Sequence, residues 1–252
     1  MTAKRIKELI ALRDRAKARR DSGTYIVEGM KMCEEVPREL LLKTYVSEAF
    51  ARGHASWLDG LNHEVVEDWV FDRITDTKTP QGVLCVVRQK EYSLDDILSE
   101  GDLYVILEDI QDPGNLGTIM RTAEGAGAAG IIMSRGCVDI YNPKTIRSTM
   151  GSAYRVPFIY VEDLAKAVEK ARACGIEVYA AHLKGKSSYD DISYRRAAFL
   201  IGNEGNGLRD ETAALADEYI RIPMSGQVES LNAAVSTAIL MYEFRRQRRL
   251  VD

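Results

Sequence analysis

The 252-residue chain carries 34 Lys and Arg against 38 Asp and Glu, a formal net charge of -4, so no overall positive field argues for a polyanionic partner. Its 46% hydrophobic content can fill a sizeable core, and its length admits one large or two small domains. No apolar run reaches the roughly 18 residues of a membrane span, and the first thirty residues hold eight Lys or Arg between Lys4 and Arg20 with no apolar signal segment, which reads as a soluble cytoplasmic protein without a membrane partner.

Ile6, Leu9, Ile10 and Leu12 predict an amphipathic opening helix. Its basic residues, Lys4, Arg5, Lys7, Arg13, Arg15, Lys17, Arg19 and Arg20, face only Glu8, Asp14 and Asp21, and Arg245, Arg246, Arg248 and Arg249 crowd the last helix. Either cluster suits phosphates, although cations also favour helix C-termini and solvated faces. TYIVE, LLKTYVS, EVVEDW and VLCVVR then read as strands of a small α/β unit that closes after the turn TPQG (79–82). The polar stretch 89–102 is the linker candidate, giving a first domain 1–92, a linker 93–101 and a second domain 102–252.

In the second domain LYVILED, GIIMS, RVPFIYV, IEVYAAH, AAFLIG and EYIRIPM alternate with helices such as EDLAKAVEKARACG. Apolar strands separated by helices predict a parallel sheet covered on both faces, and ligands on such sheets sit at strand carboxyl ends. The loops after Glu108, Ile201 and Ile222 are therefore the candidate sites. Gly125, Gly127 and Gly130 spell G-x-G-x-x-G, but a helix precedes them and a strand follows, the reverse of a dinucleotide fingerprint. They read as a helix C-cap and tight turn, and no NAD site or P-loop is inferred.

Asp112-Pro113-Gly114 signals a turn, after which Asn115 can cap or precede a helix carrying Arg121. Arg121 offers an always-charged planar fork suited to a phosphate. Glu204, between Gly202, Gly205 and Gly207, places a carboxylate where backbone can approach a ligand. Ser230 suits an N-cap for a helix starting at Leu231. Each alone admits a bland structural account; their clustering at three strand ends does not. Cys33, Cys85, Cys137 and Cys174 form no C-x-x-C pair and read as buried free thiols, and His54, His63 and His182 are scattered, so no metal is expected.

The segments NLGTIMRTA (115–123), IGNEGNGL (201–208) and IPMSGQVESLNAAVS (222–236) resemble, in order, the three motifs of the SpoU or TrmH family of RNA ribose 2'-O-methyltransferases, over about residues 102–252. The first domain is similar to the L30e-like substrate-binding domain that precedes many of these enzymes. The resemblance implies a SPOUT fold, an α/β sheet with a deep trefoil knot, and a homodimer with its active site near the subunit interface. It implies S-adenosylmethionine as cofactor, held by Gly202, Ile222 and Leu231 with Asn203, Met224 and the 225–229 loop nearby, and it assigns Asn115, Arg121, Glu204, Ser230 and Asn232 to the ribose hydroxyl. Asn203 departs from the family pattern, where a small residue is frequent, and leaves the shape of that loop open. On this reading the basic opening helix and Arg52 help the first domain grip structured RNA. The preferred substrate is ribosomal RNA, with transfer RNA as the alternative. A non-catalytic RNA-binding or assembly factor retaining the cofactor pocket is a different class, against which the complete five-residue set argues.

Overall fold

The computed structural model describes residues 1–249; Leu250 to Asp252 and the side chain of Arg249, one of the basic residues singled out above, lie outside the described part. The chain forms two compact units, Met1–Lys90 with Asp139–Tyr154, and Glu91–Val138 with the chain from Arg155 onward.

The first unit holds a four-stranded sheet, in the order β1-β4-β2-β3, of β1 (Thr24–Glu28), β2 (Leu41–Ser47), β3 (His63–Val66) and β4 (Val83–Arg88). β4 runs antiparallel to β1 and β2, while β2 and β3 are parallel. The expected strand EVVEDW is shorter: it ends at Val66, and Asp68–Ile74 turns helical to bury Val70, Phe71 and Ile74. These pack with Leu9 and Leu12 of the opening helix, Ala3–Asp14, and with Ile26, Tyr45 and Leu84 of the sheet.

Part of the opening basic cluster serves this unit instead of standing free. The Arg5 Nε donates to Tyr45 Oη at 2.7 Å, and Arg13 Nη1 to the carbonyls of Arg73 and Thr75. Arg19 is only 2% exposed, and its guanidinium is satisfied by Asp139 Oδ2 at 2.8 Å and by the carbonyls of Leu12 and Arg13. Lys4, Lys7, Arg15, Lys17 and Arg20 remain exposed. At the other end of the chain, Arg245 donates to the Ala126 and Gly127 carbonyls, Arg246 pairs with Glu243 and Arg248 with Asp102, so these three are structural cations.

Two expected boundaries differ from what the structure shows. Segment 139–154, counted with the second domain by its sequence position, packs in the first unit: Asp139 answers the buried charge of Arg19, Tyr141 sits 4.5 Å from Tyr25 between ring centroids, and Tyr154 Oη donates to Met32 O. The stretch 93–101, expected as a linker, contains a helix, Leu94–Leu98, capped by a reciprocal Ser93–Asp96 box, whose Ile97 and Leu98 are buried in the second unit's core. Polarity in the flanks hid two apolar residues spaced for burial.

The second unit is built on a seven-stranded, wholly parallel sheet of β5 (Leu103–Leu107), β6 (Gly130–Ser134), β7 (Phe158–Val161), β8 (Glu177–Ala181), β9 (Ser187–Ser188), β10 (Ala197–Ile201) and β11 (Glu218–Arg221), in the order β7-β6-β5-β10-β8-β11-β9. Every residue of β5, β6 and β10 is buried, because helices cover both faces. Alternation along the strands sends Tyr104, Ile106, Ala198 and Leu200 toward Ile97, Leu164, Val168 and Ala171 on one side. On the opposite side lie Phe199, Tyr194 and Phe244, their rings in tilted and edge contacts. The three buried cysteines are Cys33, Cys85 and Cys137; Cys174, expected to be buried, is exposed at the end of the Leu164–Ala173 helix.

The Pro113–Ala126 helix ends as its glycines predict. Gly127 takes a left-handed conformation at φ 64°, and the Gly127 and Ala128 amides donate to Glu124 O and Ala123 O. A Cβ at Gly127 would lie 2.2 Å from Arg245 Nη2. Gly127→Ala is therefore expected to lower the unfolding free energy by about 1–2 kcal/mol from the left-handed conformation alone, read as a fall in the urea midpoint at constant slope; an unchanged midpoint would contradict this account of the cap.

Candidate active site

Strand order places the site. β5 has β6 on one side and β10 on the other, so the direction of winding reverses between β5 and β10, and the crevice beyond their carboxyl ends is where a parallel α/β sheet receives ligands. Leu107 of β5 stands in register with Ile201 of β10, and Glu108 N donates to Ile201 O at 2.9 Å. The loops 108–112 and 202–208 therefore leave the sheet side by side.

Glu204 ties them together. Its Oε2 accepts from Gln111 N at 3.2 Å, and its Oε1 from Asp112 N at 3.1 Å and from Asn115 Nδ2 at 2.9 Å. Asn115 is not the helix cap: Asp112 holds that place, its Oδ1 accepting from Asn115 N, which frees the Asn115 side chain to bridge. Its Oδ1 accepts from Asn232 Nδ2 at 2.9 Å. Asn232 in turn caps the C-terminal Ala233–Arg249 helix by accepting from Ala234 N and Val235 N. The expectation that Ser230 caps a helix from Leu231 is thus corrected, because the Asn232 side chain satisfies the first free amides instead. The sequence Glu204–Asn115–Asn232 joins three segments that lie 89 and 117 residues apart.

Burial presses the Glu204 carboxyl upward, but hydrogen bonds from Asn115 and from the backbone amides of Glu204, Asp112 and Gln111 outweigh it and hold the group below its ordinary 4.5. A carboxylate so stabilised is a weak proton acceptor at neutral pH and a firm hydrogen-bond anchor. Arg121 lies six residues beyond Asn115, roughly 120° around the helix axis, and is exposed with no ion pair or hydrogen bond among the described residues. Ser230 is likewise exposed and unbonded there. The structure thus gathers Asn115, Glu204 and Asn232 within one chain and leaves Arg121 and Ser230 outside that network.

Asn203 shapes the loop that the sequence left open. Its Nδ2 donates to Asp109 O at 2.8 Å, its Oδ1 accepts from Gly205 N and Asn206 N, and its backbone pairs with Gly207. Gly202 is required by close approach, since a Cβ there would lie 2.2 Å from Gly207 C and Leu208 N. On the third loop Ile222, Met224 and Leu231 are half-buried, apolar side chains left partly uncovered, and Leu231 directly precedes Asn232 of the polar cluster.

Glu108 was passed over in the sequence except as the end of a strand. Its carboxylate is 1% exposed and accepts from Arg209 N at 2.8 Å, from the Arg209 guanidinium at 2.6 Å and from Thr212 Oγ1. Arg209 closes the far end of the 202–208 loop, so Glu108 pins one end while Asp109, at a left-handed φ of 54°, pins Asn203 near the other. A carboxylate directly after five apolar strand residues was the available signal.

Residues 102–242 match the SpoU rRNA Methylase family, and residues 3–85 match the MRM3-like substrate binding domain. The chain belongs to the SpoU family. It is 31% identical over 231 residues to the 23S rRNA (guanosine(2553)-2'-O)-methyltransferase RlmP of Bacillus subtilis, covering 91% of each chain. A TrmH-family protein of Porphyromonas gingivalis, described as a putative RNA methyltransferase, aligns at a TM-score of 0.84 and 33% identity over 98% of this chain and 99% of that one. The SpoU methyltransferase AviRb of Streptomyces viridochromogenes, solved in complex with the cofactor AdoMet, aligns at 0.87 and 27% identity over 99% of both chains.

Removing the guanidinium from a carboxylate this deeply buried leaves hydrogen-bond capacity unmet. Arg209→Gln is expected to cost about 1–3 kcal/mol, measured as a lower urea midpoint; a midpoint equal to the parent's would mean that Glu108 does not depend on Arg209.

Proposed function

We propose that the protein transfers a methyl group from S-adenosylmethionine to a ribose 2'-hydroxyl of ribosomal RNA, as a homodimeric cytoplasmic enzyme. The observation that carries this reading is the Glu204–Asn115–Asn232 network, which draws three family motifs to one crevice beside half-buried apolar side chains. Membership in the SpoU family and the names of its full-length relatives, including the 23S rRNA (uridine(2479)-2'-O)-methyltransferase of Streptomyces viridochromogenes at 31% identity, favour ribosomal over transfer RNA.

The residues present fit the cofactor. Partly uncovered Ile222, Met224 and Leu231 offer apolar surface to a purine and a methionine chain, and the Gly202–Gly207 turn, with no room for a Cβ at Gly202, offers bare backbone. Bound there, S-adenosylmethionine supplies an electrophilic methyl on a sulfonium. The protein's task is then to hold the hydroxyl in line behind that methyl, exclude water and stabilise the charge that grows on oxygen. Glu204, held ionised, fixes Asn115, and Asn115 with Asn232 presents amide groups that orient the ribose. Ser230 and Arg121 complete the set around the hydroxyl. Guanidinium does not give up its proton near neutrality, so Arg121 binds the adjoining phosphate and polarises the hydroxyl; it does not act as base.

The exposed position of Arg121 supports the dimer. It shares an exposed stripe with Thr118 and Gly125, and on the C-terminal helix Val235 and Tyr242, seven residues apart, lie uncovered at 47% and 49% exposure. A second copy covering this stripe brings an arginine of one chain toward the crevice of the other. The trefoil knot belongs to the same reading, supported by the insertion of β10 between β5 and β8 and by the C-terminal helix that follows the 222–231 loop.

Gly202→Ala forces its Cβ against backbone, and calorimetric titration is expected to show S-adenosylmethionine binding weakened by at least about tenfold with the fold retained by circular dichroism; parental affinity would overturn the assignment of this turn to the cofactor. Methyl transfer to ribosomal RNA by Arg121→Lys is expected to fall by about 100-fold or more at every pH. In the parent enzyme, because the Glu204 pKa is depressed, the activity contributed by its carboxylate is present above pH 4.5 and lost only as pH falls below it. An Arg121→Lys profile superimposable on the parent's would sink the role of the planar fork.

A further inference from the structure

A cavity of about 300 Å3 lies in the first unit, at the loop after β1 and the turn before β4. Segment 139–154, though it falls within the methylase match, supplies Arg147 and Met150 to its wall. The volume is near the lower end of the range for small-ligand sites, roughly 300–1,000 Å3.

The polar groups around it are committed unequally. Glu28, 6% exposed, accepts from Thr75 Oγ1, Thr77 Oγ1 and Asp76 N, so its carboxylate is engaged by the protein. Gln81 Oε1 accepts from Met30 N at 2.7 Å, which commits the amide oxygen and leaves the amide NH2 without a partner among the described residues. Arg147 places Nη2 on Asp76 Oδ2 at 2.6 Å, while its Nη1 is buried with no partner among the described residues. Lys31, exposed on the rim, makes no ion pair among the described residues. What remains free is thus three sets of donors, two of them cationic, and no spare cation acceptor of equal reach. Such a set takes an anion, and a guanidinium with one nitrogen held by a carboxylate and another left unsatisfied is suited to a phosphate.

The rest of the wall is apolar and soft. Met32 and Met150 line it, and Met150 is held at φ 49°, one of two residues other than glycine with positive φ among those described. A backbone conformation that a methionine rarely adopts persists only where surrounding structure imposes it, and here it sets a polarizable thioether in the cavity wall. Thioethers make favourable contacts with aromatic rings. Cations beside such a surface match a nucleotide whose base has left its stack, the form in which single-stranded RNA is recognised.

We propose that this cavity is a nucleotide-binding subsite for the substrate RNA, in which Lys31 and Arg147 take the phosphate of an unpaired nucleotide, Met32 and Met150 take its base, and the Gln81 amide donates to one or the other. The subsite rests on the proposed RNA substrate but not on methyl transfer. It gives the first unit a specific grip, beyond the diffuse attraction of Lys4, Lys7, Arg15, Lys17 and Arg20.

Gln81→Glu tests it, because the Oε1 acceptor for Met30 N is kept while the amide donor is replaced by a negative charge that a bound anion would meet. Lys31→Ala removes a rim cation without touching the core. Full-length protein is titrated with unmodified 23S ribosomal RNA transcribed in vitro, by filter retention without S-adenosylmethionine and at several salt concentrations. Both variants are expected to bind about tenfold more weakly, and Lys31→Ala to lower the slope of log affinity against log salt by about 0.7. Ser56→Glu, which adds the same charge as Gln81→Glu at an exposed position off the cavity, is expected to bind like the parent. Affinities and slopes matching the parent's in both cavity variants would overturn the proposal, as would an equal loss in Ser56→Glu. Competition supplies the second arm: 5'-AMP and 5'-UMP are expected to displace RNA at concentrations where inorganic phosphate does not, and equal displacement would overturn the role given to the methionines. S-adenosylmethionine titration of the same proteins separates the two readings. Parental cofactor affinity with lost RNA affinity supports the subsite, whereas a parent that binds RNA but no cofactor fails the methyltransferase reading and leaves the subsite to be judged by the RNA data alone.

Discussion

Parallel pairing of β10 against β5 is the constraint on which the candidate site depends. Two strands nearly a hundred residues apart in sequence end at the same level, so their following loops must share one crevice. The carboxylate of Glu204 is stable there because Asn115 Nδ2 and two amides of the 108–112 loop donate to it, and the Asn115 side chain is free to do so because Asp112 caps the next helix. Glu108 and Arg209 close the arrangement from beneath. Removing the strand register would separate every one of these groups at once.

How much of this was legible from sequence differs by residue, for physical reasons. The apolar strands and the helices between them declared a covered parallel sheet, and the glycines at 125, 127 and 130 declared a helix end, because hydrophobic period and left-handed conformation are local properties. The motifs around Asn115, Glu204 and Asn232 were visible through the family resemblance. Their connections were not. Both Asp112 and Asn115 are chemically competent caps, as are both Ser230 and Asn232, and only the long-range partner of each asparagine decides which one takes the role.

Segment 139–154 shows the same limit at the scale of domains. Composition there gives no sign of leaving the second unit, since it follows one of that unit's strands and precedes another. What moves it is a charge buried elsewhere: Arg19 has Asp139 as its carboxylate partner, and without it a guanidinium in the first unit's interior would be uncompensated. Likewise Leu94–Leu98 was hidden as a helix by five acidic neighbours between Glu91 and Asp102, although two buried side chains are enough to dock it.

The place of β8 bears on how the chain is made. In the finished sheet it lies between β10 and β11, both of which follow it in sequence. During synthesis β8 therefore emerges with neither neighbour available, and its backbone amides and carbonyls stay open on both edges until some twenty and then forty further residues have been added. Exposed apolar edges of that kind invite pairing with other chains. Productive folding of this protein consequently depends on a waiting strand being shielded until its own late-arriving neighbours slide in on either side, which ties the yield of active enzyme to the pace of its translation.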